Sequence, residues 1–199
     1  NKNGYMKDKL SDKMNEEWSI KANKIKNTEI EYLVDELKIN IKKPLPKVKN
    51  GIHNISVVTM FRFEDDYLDE FLHYYIMQGI THFFLYSNYN TDNTKEILKP
   101  HIDNGYITLI EWNEHPKNYR KIWNNYSDVS LQNLAFMDFN KRFKNQTKWI
   151  IKVDIDEFIY SKKDKYIKDI LDNTDEIYIE VPRIDFGSSN HKIKPDGLI

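Results

Sequence analysis

Cysteine is absent from this sequence, which excludes disulfides, thiol nucleophiles and zinc–thiolate centres. The same absence favours a reducing compartment, and a cytoplasmic location is the expectation. Long apolar runs are missing too: nothing approaches the roughly twenty residues that cross a bilayer, and the start carries no signal-peptide pattern. No membrane span is expected in this chain. Nor does charge of one sign dominate. Thirty Lys and Arg face 31 Asp and Glu, giving a formal net charge of -1 and a pI near 6.7, so nucleic acid is not an expected partner and any polyanion must be held locally.

What is present suits one folded domain. With 199 residues, 40% hydrophobic and 14% aromatic, the chain can bury a substantial core, and two full domains would be crowded. The first fifty residues are polar and rich in Lys and Asn, yet Ile30, Leu33, Val34 and Leu37 recur at the spacing of one helical face. Lys42-Lys43-Pro44-Leu45-Pro46-Lys47 then favours extended backbone and reads as a linker. Residues 1–50 are therefore expected to form a helical arm and linker, and residues 51–199 the main domain. An opening Asn in place of Met predicts that a segment, and an anchor with it, has been cut away upstream. Sequons at Asn54, Asn125 and Asn145 carry little weight in a chain this rich in Asn.

From there strand and helix patterns alternate. Residues 55–61 (ISVVTMF) form a short β-branched apolar run, read as a buried strand. Asp65 and Asp66 suit the positive end of a following helix, Leu68, Phe71, Leu72 and Tyr75 make its apolar stripe, and Gly79 is placed to end it. Residues 81–87 (THFFLYS) are the second strand; Thr91 caps a short helix expected to stop at Pro100; residues 106–112 (YITLIEW) are the third strand. Leu131, Leu134, Ala135, Phe139 and Phe143 outline another amphipathic helix ahead of a fourth strand at 148–153, and a last strand is expected at 177–181. This alternation predicts an α/β fold: a mostly parallel sheet with right-handed crossovers and helices on both faces. Such sheets bind ligands beyond the carboxyl ends of their strands, so the loops after Phe61, Ser87, Trp112 and Val153 are expected to line one crevice.

One strand runs straight into acids, at Val153-Asp154-Ile155-Asp156-Glu157. If extended backbone persists, Asp154 and Asp156 point the same way and Ile155 points into the core. Converging carboxylates repel, and a shared hard cation, Mn²⁺ or Mg²⁺, relieves that repulsion while keeping positions open for phosphate oxygens. The plainer reading is that these acids merely solvate a strand end. An EF-hand loop does not fit, because Phe158 and Ile159 fall where it needs an acid and a Gly.

The surrounding segments resemble glycosyltransferase family 92 (DUF23) and its glycosyltransferase-2-like relatives of the GT-A superfamily. Residues 61–71 (FRFEDDYLDEF) are similar to that family's Lys-Asn-Glu…Tyr-Leu-x-Glu-Trp opening. Residues 79–94 resemble its Gly-Val-x-His-Phe-x-x-Tyr-Asp-Asn-x-Ser-Thr-Asp-Asn stretch, with Ser87 standing where the family often has Asp. Gln132, Ala135, Asp138, Arg142 and Lys148-Trp149-Ile150 match the approach to its Asp-x-Asp-Glu-Phe, and residues 186–198 resemble its Phe-Gly-Ser-Ser-Gly-His…Pro-x-Gly-Leu. The likeness covers roughly residues 55–199.

The resemblance implies a GT-A-type, Rossmann-like fold and transfer of a sugar from a nucleotide-sugar donor, such as a UDP-sugar, to a hydroxyl on a glycan acceptor. It implies that Arg62 and Glu64 hold base and ribose, that Asn88 and Asp92 face the nucleotide, and that Asp138 pairs with Arg62 or donor groups. Asp154 and Asp156 become the expected ligands of Mn²⁺ or Mg²⁺, with Asp154 also near the donor, and Glu157 is expected to pack or balance charge. Asp185 and His191 are the candidates for the base that deprotonates the acceptor. The stop at Ile199 predicts that a C-terminal portion is missing. Two other readings stand beside the transferase: a silent nucleotide- or glycan-binding module of the same fold, and a glycoside hydrolase using paired carboxylates.

Overall fold

The computed structural model describes residues 51–113, 130–161 and 166–185. Those up to residue 175 belong to one compact unit and residues 176–185 to a second. The expected helical arm and linker lie outside the described residues.

Four strands make the sheet of the first unit: β1 (His53–Phe61), β2 (His82–Ser87), β3 (Ile107–Glu111) and β4 (Thr147–Lys152). Every pairing is parallel and the order is β3-β2-β1-β4. Parallel pairing requires crossovers, supplied by α1 (Asp65–Met77), α2 (Asp92–Asp103) and α3 (Leu131–Arg142). A short α4 (Ile167–Asp172) follows β4. This is the α/β, parallel-sheet architecture that the strand and helix spacing predicts, and it is consistent with the Rossmann-like fold that the resemblance implies.

Because both faces of the sheet are covered, β2 is buried along its whole length and reads as a continuous apolar run. Period-two alternation sends neighbours to opposite faces. Val58, Phe84, Tyr86 and Ile110 pack against Ala135 and Phe139 of α3. Phe83 turns the other way, its ring centroid 6.2 Å from that of Phe71 on α1. Gly79 ends α1 at φ 92°, and a Cβ there would come within 2.5 Å of the Lys168 side chain, so both backbone conformation and space demand glycine.

Three details depart from the sequence reading. α2 runs through Pro100 to Asp103; proline removes only one donor, and the Pro100 carbonyl is taken up by the Asn104 side chain at 2.8 Å. β4 ends at Lys152, before the acids, instead of carrying alternation through them. Residues 177–181 form no strand: β-favouring side chains alone do not supply a ladder partner. Among the described residues no helix is long and apolar enough to cross a membrane.

Candidate functional site

The chain builds β1, β2 and β3 outward in one direction and then returns to lay β4 on the other side of β1. That reversal opens a crevice at the carboxyl ends of β1 and β4, the place where open parallel sheets bind ligands. Arg62, Phe63 and Glu64 leave β1 there; Asp154 and Asp156 follow β4.

β4 gives way to a turn over residues 154–157. The Glu157 amide donates to the Asp154 carbonyl at 3.1 Å, and the Asp154 amide donates to the Glu157 carboxylate at 3.0 Å. Val153 and Ile155 are buried, whereas Asp154 and Asp156 are exposed. Thus the pair is presented to solvent by a closed turn, with Glu157 folded back to hold it, and not by strand alternation. α1 pins the turn: the Tyr75 hydroxyl donates to the Glu157 carbonyl at 2.9 Å and the Tyr74 hydroxyl to the Ile159 carbonyl at 2.7 Å. Phe158 packs against both, its centroid 5.0 Å from that of Tyr74 and its ring parallel to Tyr75 at 6.4 Å. Both tyrosines are buried and held protonated far above their ordinary range by that burial, so both donate, and the Tyr75 hydroxyl also accepts from the Ile159 amide at 3.2 Å.

Glu64, just beyond β1, lies within reach of the charges of both aspartates. Burial pushes its pKa up, and Asp156 and then Asp154 push it further. Glu64 and the two aspartates offer hard carboxylate oxygens, a donor type that fits Mg²⁺ or Mn²⁺. Their oxygens do not close to within 4.8 Å as a threesome; among the described residues the group that does so lies elsewhere. Gln132, in the first turn of α3, donates its amide to Asp154. α3 itself starts on Ser130, whose hydroxyl accepts from the Asn133 amide at 3.1 Å.

On the β1–β2 side two aromatic residues hold left-handed backbone, Phe63 at φ 58° and Tyr89 at φ 51°. For non-glycine residues that conformation costs about 1–2 kcal/mol each. Hydrogen bonds fix it: the Phe63 amide donates to Asn90 Oδ1 at 2.7 Å and the Tyr89 amide to Asn113 Oδ1 at 2.9 Å. Asn90 also donates to the Phe61 carbonyl and to Ser87, tying the two loops together. The result is an outward aromatic pair, Phe63 62% and Tyr89 45% exposed. The Arg62 guanidinium lies 4.8 Å from the first ring centroid and 5.7 Å from the second.

The other residues singled out from the sequence fall as follows. Asn88 is buried, its amide donated to the Trp112 carbonyl at 2.6 Å, so it braces the ends of β2 and β3. Asp92 opens α2. Asp138 does find a partner, but not Arg62: it accepts from the Tyr86 hydroxyl at 2.8 Å and from Arg142 at 3.0 Å on the α3 side of the sheet. Ser87 is buried and accepts from Asn90 at 3.0 Å. Asp185 belongs to the second unit, where it is exposed and paired with Arg183 at 2.6 Å. His191 lies outside the described residues. The crevice therefore gathers Glu64, Asp154 and Asp156, with Arg62 on the aromatic pair at the neighbouring loops. Phe63 and Tyr89 were not singled out from the sequence; the available signal was a pair of large aromatics in turn positions next to strand ends, where Gly, Asn or Asp is ordinary.

Compared with known proteins, residues 53–197 match the family model described as Glycosyltransferase family 92. The chain is 26% identical over 161 residues to a glycosyltransferase family 92 protein of Oryza sativa subsp. japonica, an overlap of 78% of this chain and 24% of that relative. The chain thus spans about a quarter of the length of the curated relative it matches. No solved structure matches.

Proposed function

The chain belongs to glycosyltransferase family 92, and from that premise we propose that it forms the nucleotide-sugar-binding part of a metal-dependent glycosyltransferase acting on a hydroxyl of a glycan. The observation that carries this reading is the turn after β4 that holds Asp154 and Asp156 exposed beside the sheet's topological switch point, their charges reaching Glu64 beyond β1. Asp154 and Asp156 are the residues to hold Mn²⁺ or Mg²⁺, with Glu64 beside them. The cation, when bound, supplies Lewis-acid neutralisation of the leaving diphosphate. The protein's own part is positional: the tyrosine-pinned turn keeps the carboxylates outward, Gln132 orients Asp154, and Arg62, Phe63 and Tyr89 offer a cationic and aromatic surface on which a nucleobase can lie.

A thermal shift with UDP, with and without Mn²⁺, tests the proposal. A ligand bound only by the folded state at about 100 times its Kd stabilises by about 2.7 kcal/mol, a rise of several degrees. The rise should need both UDP and Mn²⁺ and vanish in Asp154→Ala, with release of free sugar from a UDP-sugar as the companion readout. A nucleotide response that survives Asp154→Ala, or a response to free oligosaccharide and none to nucleotide with metal, overturns it. A metal-dependent nucleotide shift without sugar release points to a silent module of the same fold.

A further inference from the structure

Away from the crevice, Asp69, His73 and His101 each offer one ligand atom, all within 4.8 Å of one another. Sequence spacing explains how they meet. Asp65, Asp69 and His73 recur every four residues, which sets them on one face of α1. α2 packs against that face: its first turn ties to Asp65, which accepts from Thr91 at 2.9 Å and Asn93 at 3.2 Å as well as from Thr94. Two turns further on, His101 in the last turn of α2 comes opposite Asp69 and His73.

The distances are informative. Asp69 Oδ1 lies 3.4 Å from His73 Nδ1 and 3.5 Å from His101 Nε2. Both are longer than a good hydrogen bond. Both match the edge of a tetrahedron, about 3.4 Å when metal–ligand arms are about 2.1 Å. His101 is 2% exposed, and its other ring nitrogen, Nδ1, has no hydrogen-bond partner. A wholly buried imidazole without one hydrogen bond of ordinary length on either nitrogen is costly unless something else takes a lone pair. His73 is buried beside it, the two ring centroids 5.1 Å apart at 76°. Asp69 is half-exposed and provides the way in from solvent.

We propose that Asp69, His73 and His101 form a zinc site that clamps α1 to α2, distinct from the carboxylate crevice. Two imidazoles and one carboxylate suit Zn²⁺ better than the hard ions Mg²⁺ and Ca²⁺, and a fourth position on the Asp69 side is left to water. The spacing of Asp69 and His73 on one helix is that of the two histidines in helical zinc motifs. His73 Nδ1 also lies 2.8 Å from the Asp69 carbonyl, so in the metal-free protein it holds a proton shared with that oxygen. Coordination through this nitrogen gives up that hydrogen bond and puts the ring's proton on Nε2, so that neutral imidazole is the ligand. The clamp steadies the helix whose Tyr74 and Tyr75 pin the turn bearing Asp154 and Asp156.

The test is titration of the whole chain, stripped with a chelator, with Zn²⁺ alone, read by calorimetry and melting temperature, and with Co²⁺ read by visible absorption. One Zn²⁺ per chain, a raised Tm not reproduced by Mg²⁺, and the intense visible bands of a tetrahedral Co²⁺ centre are expected. Asp69→Asn and His73→Gln should each weaken Zn²⁺ at least tenfold, and Asp154→Asn should leave it unchanged. Because His101 is wholly buried, the isosteric change at half-exposed Asp69 is the decisive variant. Absence of Zn²⁺ binding by the native chain overturns the proposal, as does binding retained in an Asp69→Asn, His73→Gln double variant that melts cooperatively. Neither result bears on nucleotide binding at Asp154.

Discussion

Gln132 and Asp154 join two elements beyond the carboxyl end of the sheet: the first turn of α3 donates a side-chain amide to the carboxylate that follows β4. An exposed pair of this kind contributes about 1 kcal/mol or less to folding, so its effect should appear in the site more than in stability.

In Gln132→Ala the Asp154 carboxylate loses its orienting donor. The Tm of the free protein should move little, while the Mn²⁺ concentration needed for nucleotide-dependent stabilisation should rise severalfold, the loss being one hydrogen bond to a charged group, about 1.5–3 kcal/mol at most. Metal titrations at fixed UDP, followed by melting, measure it. An unchanged titration would mean that Gln132 shields Asp154 without positioning it.

How far the sequence discloses this arrangement depends on the range of the cause. The parallel sheet is legible because buried strands such as residues 82–87 are locally apolar and each crossover helix carries its own stripe. Asp154 and Asp156 are legible as a strand-end pair, but the turn that displays them is not, since it depends on Tyr74 and Tyr75, more than eighty residues earlier in the chain. Asp138 shows the same limit: a carboxylate on an apolar face demands a partner, and only the fold reveals that the partners are Tyr86 and Arg142. Asp69, His73 and His101 are invisible for a related reason, because their meeting needs α1 and α2 to run side by side. Phe63 and Tyr89 escape notice because left-handed backbone at an aromatic residue runs against local preference.

His82 gives stability a pH dependence whose sign follows from its surroundings. It is buried, stacked on His53 at 3.9 Å, with its ring nitrogens engaged by the Gly105 carbonyl and the Thr108 hydroxyl. Burial, then the neighbouring His53, lowers its pKa to about 4, although the Gly105 carbonyl pulls upward. The folded state therefore holds it neutral, while the unfolded chain takes up a proton at the ordinary value of 6.5. Between 6.5 and about 4 the unfolded state binds more protons, so stability is full above that window and falls as pH drops through it. His73 has a raised pKa and works in the opposite direction, so the difference between variants is the clean quantity. His82→Gln, which keeps a donor and an acceptor, should show a flatter decline than the native chain, by on the order of 2 kcal/mol across the window. Urea melts at pH 7 and pH 4.5 measure this; parallel declines would place the titration elsewhere.

Phe63 sets stability against binding. Its left-handed backbone is one that glycine adopts without strain, and its ring is 62% exposed, so Phe63→Gly removes little buried surface. Relief of about 1–2 kcal/mol, less the extra freedom glycine gives the unfolded chain, should leave the variant about 0.5–1 kcal/mol more stable. The same change takes away one of the two rings beside Arg62. If a nucleobase stacks there, affinity for UDP in the presence of Mn²⁺ should fall roughly tenfold, since stacking on one aromatic side chain is worth about 1–3 kcal/mol. Uridine competition against bound UDP, compared between native and variant chains, isolates the base from the diphosphate. A variant that gains stability and keeps its affinity would remove Phe63 from the binding surface and leave Tyr89 and Arg62 to carry it; one that loses both would show that the ring supports the β1 loop and not a ligand.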